Sequence, residues 1–150
     1  MLTNSPPSSP ESLLKLENQL CFPLYAVSRL ITKAYQPLLQ ALELTYPQYL
    51  VLLLLWEYGQ LTVKELGEKL LLDSGTLTPL LKRLEQRQLL SRRRAPHDER
   101  SVIIALLPAG RALEAQARPI PEAMLDKMHM SVAEVAALRA HLTHLLTQLA

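Results

Sequence analysis

The segment from 61 to 107 limits the folds open to this chain more than any other feature. A Thr-x-x-Glu capping box at its start predicts a short helix over 62–71. A cluster of turn and cap residues follows, and predicts a second helix over 73–88. Two runs that read as strands, 90–94 and 101–107, then flank a polar loop. The order of helix, turn, helix and two-stranded ribbon predicts a winged helix-turn-helix.

Positive charge is concentrated in the same segment. Between 82 and 100 there are seven cations and three anions, whereas the whole chain of 150 residues carries a net charge of only +2. Cations focused on one pair of elements favour binding to the phosphates of DNA. The alternative is a solvated basic hairpin on a winged helix that binds other proteins. Because the charge coincides with the helix-turn-helix pattern, we favour DNA.

The second helix of such a unit enters the major groove, and its ribbon reaches the flanking backbone or the minor groove. The polar side chains of the predicted helix and ribbon are therefore the candidate DNA contacts: Ser74, Thr76, Thr78, Lys82, Arg83, Arg92, Arg94, Asp98 and Arg100. Asp98 lies two residues before Arg100, so we expect its carboxylate to hold that guanidinium in one orientation. A held arginine suits the negative potential of a narrow minor groove.

The regions outside this unit predict a tail and long helices. Residues 1–10 are rich in Ser and Pro and are expected to be disordered, with Ser9 able to cap a helix that begins at Pro10. Apolar residues at steps of three and four predict a helical face of about 30 residues, kinked or restarted at Pro23 and Pro37. A second such series ends the chain: Val135, Leu138, Leu142, Leu145 and Leu149.

We therefore expect one domain over 11–150, mainly α with a small β-wing. The winged helix-turn-helix over 61–107 is flanked by terminal helices over 11–45 and 108–150. These helices pack either within the chain or against a second copy. We favour a homodimer, because a helix-turn-helix usually reads two half-sites about one helical turn apart.

Other classes of protein are disfavoured. The apolar run 50–56 is too short to span a bilayer, and the N-terminus lacks the order of a signal peptide. A single cysteine excludes a disulfide scaffold and favours the cytoplasm. His141 and His144 have no partner that completes a metal site. No phosphate loop or nucleophile elbow is present, so we expect neither an enzyme nor a cofactor.

Two stretches within the segment resemble the MarR family of transcriptional regulators. They are Asp73-Ser-Gly-Thr-Leu-Thr-Pro-Leu-Leu-Lys-Arg-Leu-Glu85 and the wing sequence Asp98-Glu-Arg-Ser101. The resemblance covers nearly everything after the N-terminal tail. It implies an obligate dimer that binds a pseudo-palindromic operator in double-stranded DNA, in most members as a repressor.

Two further stretches resemble the organic hydroperoxide sensors of that family (the OhrR branch). They are Leu-Glu-Asn-Gln-Leu-Cys-Phe over 16–22 and Thr-Tyr-Pro-Gln-Tyr over 45–49. The resemblance implies that Cys21 is the peroxide-reactive group and that Tyr35 and Tyr46 of the partner subunit hydrogen-bond it. Because the chain has no second cysteine, it looks like the type in which a low-molecular-weight thiol caps the oxidised sulfur.

The residues themselves offer one route to a reactive thiol and leave other interpretations open. If Pro23 restarts the helix, Cys21 lies near a helix N-terminus, whose free N–H groups stabilise a thiolate. A lone cysteine in an apolar helix is otherwise most often an inert core residue. Cys21 would then be a bystander in a repressor that responds to a small aromatic ligand. A thiol peroxidase is the alternative from a different functional class.

Overall fold

The computed structural model describes residues 9–150. Most of the predicted disordered tail, residues 1–8, lies outside the described residues. Ser9 caps a short 3-10 helix, Pro10–Leu14, in which its hydroxyl accepts a hydrogen bond from the N–H of Ser12.

The predicted N-terminal helix is divided into short 3-10 helices and one long α-helix. A second 3-10 turn, Leu16–Asn18, precedes the first α-helix, α1, which spans Cys21–Gln40. Pro23 is the third residue of α1, where the absent N–H costs no intrahelical bond. Pro37 lies in the last turn and does not end the helix. The predicted restart near Pro23 is therefore found, and it makes Cys21 the first residue of α1.

Helix α2, Tyr46–Tyr58, lies at the centre of the core. It begins with a capping box between Thr45 and Gln48 and ends at Gly59, whose φ of 77° is one that residues with a side chain rarely adopt. The sequence predicts both bounds, because Pro47 favours a helix start and Gly59 a helix stop. The helix is apolar on all sides because several elements pack around it.

The central part of the chain contains three strands, one more than predicted. Strand β1 (Gln60–Thr62) precedes α3 (Val63–Leu70) and α4 (Ser74–Gln86); strands β2 (Leu90–Ala95) and β3 (Asp98–Leu106) follow. The antiparallel sheet has the order β1-β3-β2. No pattern in the sequence indicates β1, because three residues are too few for alternation to be seen.

The wing hairpin is longer than predicted. Ala95 pairs with Asp98, so only Pro96 and His97 form the turn, with a bulge between Arg94 and Ala95. The sequence predicts a loop over all six residues from 95 to 100. Their side chains are mostly polar, and a hairpin arm that extends into solvent lacks the apolar alternation that signals a strand.

Three helices complete the chain: α5 (Pro108–Ala117), α6 (Ile120–Met128) and α7 (Val132–Leu149). Pro119 is the N-cap residue of α6 and Pro121 is its second residue, so the break between α5 and α6 falls at prolines. A capping box at Ser131 opens α7, where the carboxylate of Glu134 accepts from the main-chain N–H of Ser131 at 2.8 Å.

The core is formed between α2, the helix-turn-helix and the sheet. Its fully buried side chains are almost all aliphatic: Leu39, Val51, Leu52, Leu55, Leu66, Leu77, Leu81, Leu84, Leu90, Ile104 and Met124. This mainly α fold with a small β-wing confirms the predicted fold class. No helix within residues 9–150 combines the length and the hydrophobicity that a transmembrane span requires.

Candidate nucleic-acid interface and thiol site

The two sides of helix α4 differ sharply. Leu77, Leu81 and Leu84 are buried, which fixes the helix against the core. Most of the remaining helix surface is exposed, and it carries five of the predicted DNA contacts: Ser74, Thr76, Thr78, Lys82 and Arg83. The helix therefore presents hydrogen-bonding groups at its N-terminal end and cations further along.

The first turn of α4 is rigidly capped. The carboxylate of Asp73 accepts from the N–H of Thr76 at 2.8 Å and from its hydroxyl at 3.1 Å. These bonds lower the pKa of Asp73. The hydroxyl of Thr78 donates to the carbonyl of Ser74 at 2.7 Å. Both hydroxyls thus act as donors within the helix and keep their oxygen lone pairs for an outside donor.

The wing is attached to α4 by an ion pair. Arg92 on β2 donates from Nε to Glu85 at 2.8 Å, and its main-chain N–H donates to the same carboxylate at 3.3 Å. Both side chains are half-buried. The pairing gives Arg92 a definite role in positioning the wing, beside its predicted role as a DNA contact.

The remaining wing arginines have different environments. Arg93, on the other side of β2, donates to Gln60 at 3.1 Å, and Arg94 and Arg100 are exposed. Asp98 accepts from the main-chain N–H of Arg100 at 3.1 Å. The carboxylate thus orders the backbone at the wing tip, and the expected carboxylate–guanidinium contact does not form among the described residues.

The wing and the helix-turn-helix enclose an open cleft of about 1010 Å³. Ser74 and Thr78 of α4, Lys64 of α3 and Arg100 of β3 are among the residues that line it. The fold brings these side chains, distant in sequence, to one concave surface that offers cations and hydroxyls, with the carboxylates of Glu68, Asp73 and Asp98 also in its lining.

Cys21 lies far from that surface, at the N-terminus of α1, and its side chain is exposed. Leu20 occupies the cap position of this 20-residue helix and cannot supply a side-chain hydrogen bond to its first turn. The main-chain N–H groups of the first turn therefore have no side-chain cap. Because its side chain is exposed, Cys21 is not a core residue of the single chain, and its reactivity stays a prediction.

Tyr35 and Tyr46 lie together in an aromatic cluster. Their ring centroids are 4.9 Å apart, and the ring of Tyr49 lies 5.9 Å from Tyr35 and 6.4 Å from Tyr46. Burial raises the pKa of all three phenols, that of Tyr35 to about 12 with further contributions from Tyr46 and Tyr49. At neutral pH these groups are protonated and are hydrogen-bond donors.

The cysteine and the tyrosine cluster do not meet within one chain. Cys21 and Tyr35 are fourteen residues apart on the same helix, which at the helical rise separates their Cα atoms by about 21 Å. A contact between the thiol and these phenols therefore requires a second copy of the chain.

The sequence did not reveal two side chains that connect the elements of this fold. In the sequence Glu85 and Arg87 are only charges, yet Glu85 holds the wing and Arg87 donates to the main-chain carbonyls of Leu42 and Glu43. These partners are remote or on another element, so no local spacing indicates them. Among residues 9–150, no cluster of His, Cys, Asp and Glu is placed to hold a metal ion.

Comparison with known proteins identifies relatives that match most of the chain. The family model described as transcriptional regulator SarA/Rot matches residues 33–115. The organic hydroperoxide resistance transcriptional regulator of Bacillus subtilis is 54% identical over 136 residues, which cover 91% of this chain and 92% of the relative.

Solved structures give the same result. Overoxidised AbfR bound to DNA is 37% identical, with a TM-score of 0.76 over 95% of this chain and 100% of that one. Disulfide-formed AbfR is 40% identical, and its TM-score is 0.62 over 91% of this chain and 96% of that one. A mutant MarR from E. coli, in complex with operator DNA, is 26% identical, with a TM-score of 0.76 over 85% and 93% of the two chains.

Proposed function

Since this chain belongs to the MarR/SarA-type family of transcriptional regulators, in the branch of organic hydroperoxide resistance regulators, we propose that it is a homodimeric repressor that releases operator DNA when Cys21 is oxidised. A family of regulators rather than enzymes is what the sequence predicted. The observation that carries the proposal is the exposed thiol of Cys21 at a helix N-terminus that has no side-chain cap. The same chain carries exposed cations on α4 and the wing.

We assign DNA binding to α4 and the wing. Ser74, Thr76, Thr78, Lys82 and Arg83 would face the major groove, as the second helix of a helix-turn-helix does. The cations of the ribbon would lie along the backbone, with Arg100 at the tip in the minor groove. In the dimer, two such units would read the two halves of a pseudo-palindromic operator.

The proposed chemistry at Cys21 proceeds in two steps. The thiolate attacks the terminal oxygen of an organic hydroperoxide, the O–O bond breaks, and the alkoxide leaves and takes up a proton. Cys21 is then a sulfenic acid. A low-molecular-weight thiol of the cytoplasm, our proposed compartment, attacks that sulfur, and the products are a mixed disulfide and water.

Tyr35 and Tyr46 of the partner subunit would complete the thiol site. The raised pKa values keep both phenols protonated at neutral pH, so they can donate to a thiolate. Since the two sites are about 21 Å apart on one helix, an antiparallel arrangement of two α1 helices would bring each Cys21 to the other subunit's tyrosines. An adduct at Cys21 would force these elements apart and move the two recognition helices.

A comparison of TM-scores separates the disulfide form of AbfR from its other forms. The chain matches reduced and overoxidised AbfR on DNA at 0.76 each, and disulfide-formed AbfR at 0.62. This difference supports a proposal in which a disulfide at the sensing thiol, rather than overoxidation of the sulfur, changes the conformation.

The test is the variant Cys21→Ser. We expect it to bind operator as the wild type does and to stay bound when an organic hydroperoxide and a small thiol are added. Gel shifts measure binding, and mass spectrometry of the wild type identifies the adduct on Cys21. If the variant is also released by peroxide, sensing through this thiol is refuted. Catalytic consumption of peroxide with a recycling thiol would instead indicate a peroxidase.

A further inference from the structure

Arg87 lies between the two functional regions of this chain. It follows the last residue of α4 and directly precedes Gln88, whose φ of 58° turns the chain toward the wing. Its side chain extends away from the reading surface, to the corner between α1 and α2. Arg87 thus touches the recognition helix at one end and the helices of the thiol site at the other.

The corner is the segment 41–45, and the guanidinium of Arg87 binds it through hydrogen bonds from both of its Nη atoms. One Nη donates to the carbonyl of Glu43 at 2.5 Å, and the other donates to the carbonyl of Leu42 at 3.1 Å and lies 3.5 Å from the carboxylate of Glu43. No other donor among residues 9–150 bonds these two carbonyls. A planar guanidinium can serve both acceptors at once, whereas an ammonium lacks this geometry.

The corner itself is stiff. Glu43 adopts a φ of 53°, and the N–H of Leu44 donates back to the carbonyl of Leu39 at 3.1 Å, so α1 ends in a closed turn. Two residues after Leu44, Tyr46 begins α2 and packs its ring on Tyr35. A shift of the tyrosine cluster is therefore passed directly to the carbonyls that Arg87 holds.

The other end of the connection is equally defined. The ion pair of Glu85 and Arg92 joins the last turn of α4 to the wing at 2.8 Å. Both DNA-reading elements are thus fixed to the residue next to the α1–α2 corner. A displacement of that corner moves α4 and the wing as one body.

We propose that Arg87 is the positioning residue that transmits the oxidation state of Cys21 to the recognition helix, by clamping the α1–α2 corner to the end of α4. This role rests on the function proposed above. The proposal predicts that a protein without the Arg87 contacts still binds operator DNA but no longer releases it on oxidation. DNA binding needs only α4 and the wing, whereas release also needs their connection to the corner.

The decisive quantity is the coupling factor, the ratio of operator Kd for the oxidised protein to that for the reduced protein. For the wild-type dimer, treated with cumene hydroperoxide and free cysteine, we expect a factor of at least about 10. In Arg87→Met, which keeps an unbranched apolar stem and removes the guanidinium, we expect a factor reduced at least about fivefold. The reduced Kd and the extent of the Cys21 adduct should stay close to the wild-type values.

Three matched variants separate transmission from stability. For Arg87→Lys we expect a coupling factor between those of the wild type and Arg87→Met, because a lysine ammonium cannot serve both carbonyls. For Glu43→Gln we expect the coupling factor of the wild type, because the carbonyls that accept hydrogen bonds from Arg87 are main-chain groups. Arg118→Met removes an arginine from an exposed pair with Glu114 and should also leave coupling unchanged.

The outcomes are distinguishable. If the wild type forms the adduct and keeps its operator affinity, the proposed function fails and the role of Arg87 fails with it. If the wild type is released and Arg87→Met is released equally, only the role of Arg87 is overturned. Should Arg87→Met not fold, the comparison of Arg87→Lys with Glu43→Gln decides, and equal coupling factors in the two contradict the proposal.

Discussion

The arginines of the wing have different partners, and these partners set what each can do. Arg92 is held by Glu85, and Arg93 donates to Gln60, so both contribute to the structure of the wing. Arg94 and Arg100 extend into solvent without an ion pair among the described residues. Of these two, Arg100 also lines the cleft beside α4, and its backbone is ordered by Asp98.

We expect Arg100→Ala to weaken operator binding by about tenfold, because it removes a cation from the proposed minor-groove contact. The dependence of log Kd on log salt should become less steep by about one unit for each subunit's lost contact. Arg111→Ala removes the same charge from an exposed position on α5 and serves as the control. A salt titration in which Arg100→Ala matches the wild type would exclude the wing tip from DNA binding.

The tyrosine cluster predicts a pH dependence of stability. Burial raises the pKa of Tyr35 from 10 to about 12, so folding favours the neutral phenol. The sign follows from linkage: this contribution is fully present below pH 10 and is lost as the pH rises through about 12. We expect Tyr35→Phe to remove the corresponding part of the fall in unfolding free energy, and also a step near pH 12 in the phenolate absorbance titration. Tyr25→Phe, outside the cluster, is the control for the loss of a tyrosine hydroxyl.

At the scale of elements, the ion pair that joins α4 to β2 determines whether the recognition helix and the wing move together. The bond from Arg92 to Glu85 is short, both groups are half-buried, and a main-chain N–H joins the same carboxylate. These features distinguish it from the exposed pair of Lys64 and Glu68, which lies at 3.9 Å. Exposed pairs of that kind contribute little.

We expect Glu85→Gln to lower the free energy of unfolding by about 1 kcal/mol, because a charge-assisted bond between two elements is weakened. Urea unfolding, followed by circular dichroism, measures the change. Glu99→Gln, at an exposed position of the wing, removes the same charge and should leave stability unchanged. An equal effect of the two substitutions would show that the Glu85–Arg92 pair does not hold the elements together.

Taken as a single copy, the molecule leaves its terminal helices uncovered. None of the residues of α7 is buried, and large apolar side chains are exposed on it and on the N-terminal helices. They are Val132, Leu138, Leu142, Leu146 and Leu149 on α7, and Leu13, Leu14, Leu16, Leu20, Phe22, Tyr25, Val27 and Leu30 at the other end. Two copies can bury these surfaces together, which favours the proposed homodimer.

We expect Leu142→Glu to convert the dimer to a monomer, because it places a charge in an apolar interface. Light scattering after gel filtration should then give 16.9 kDa instead of twice that mass. The control is Ala140→Glu, since two residues along a helix rotate the side chain to the opposite face. A wild-type mass of 16.9 kDa would overturn the dimer itself.

Local signals in the sequence are enough to predict the order of most helices and strands and the position of the winged helix-turn-helix. Capping boxes at Thr62 and Ser131, the cap of Asp73 and the prolines before α5 and α6 mark where helices begin, because these signals act within a few residues. Alternation in 101–107 locates the buried part of β3. Cys21 also stands out as a candidate sensor, although only the resemblance assigns its chemistry.

Which groups meet depends instead on the folded chain. Folding places Cys21 in solvent and far from the tyrosines, pairs Glu85 with Arg92, and brings Arg87 to the carbonyls of Leu42 and Glu43. It also adds β1, which is too short to be detected by its pattern and forms only because β3 offers an edge. The physical reason is the same in each case: local signals depend on neighbours in sequence, whereas these contacts depend on how buried leucines orient whole elements against one another.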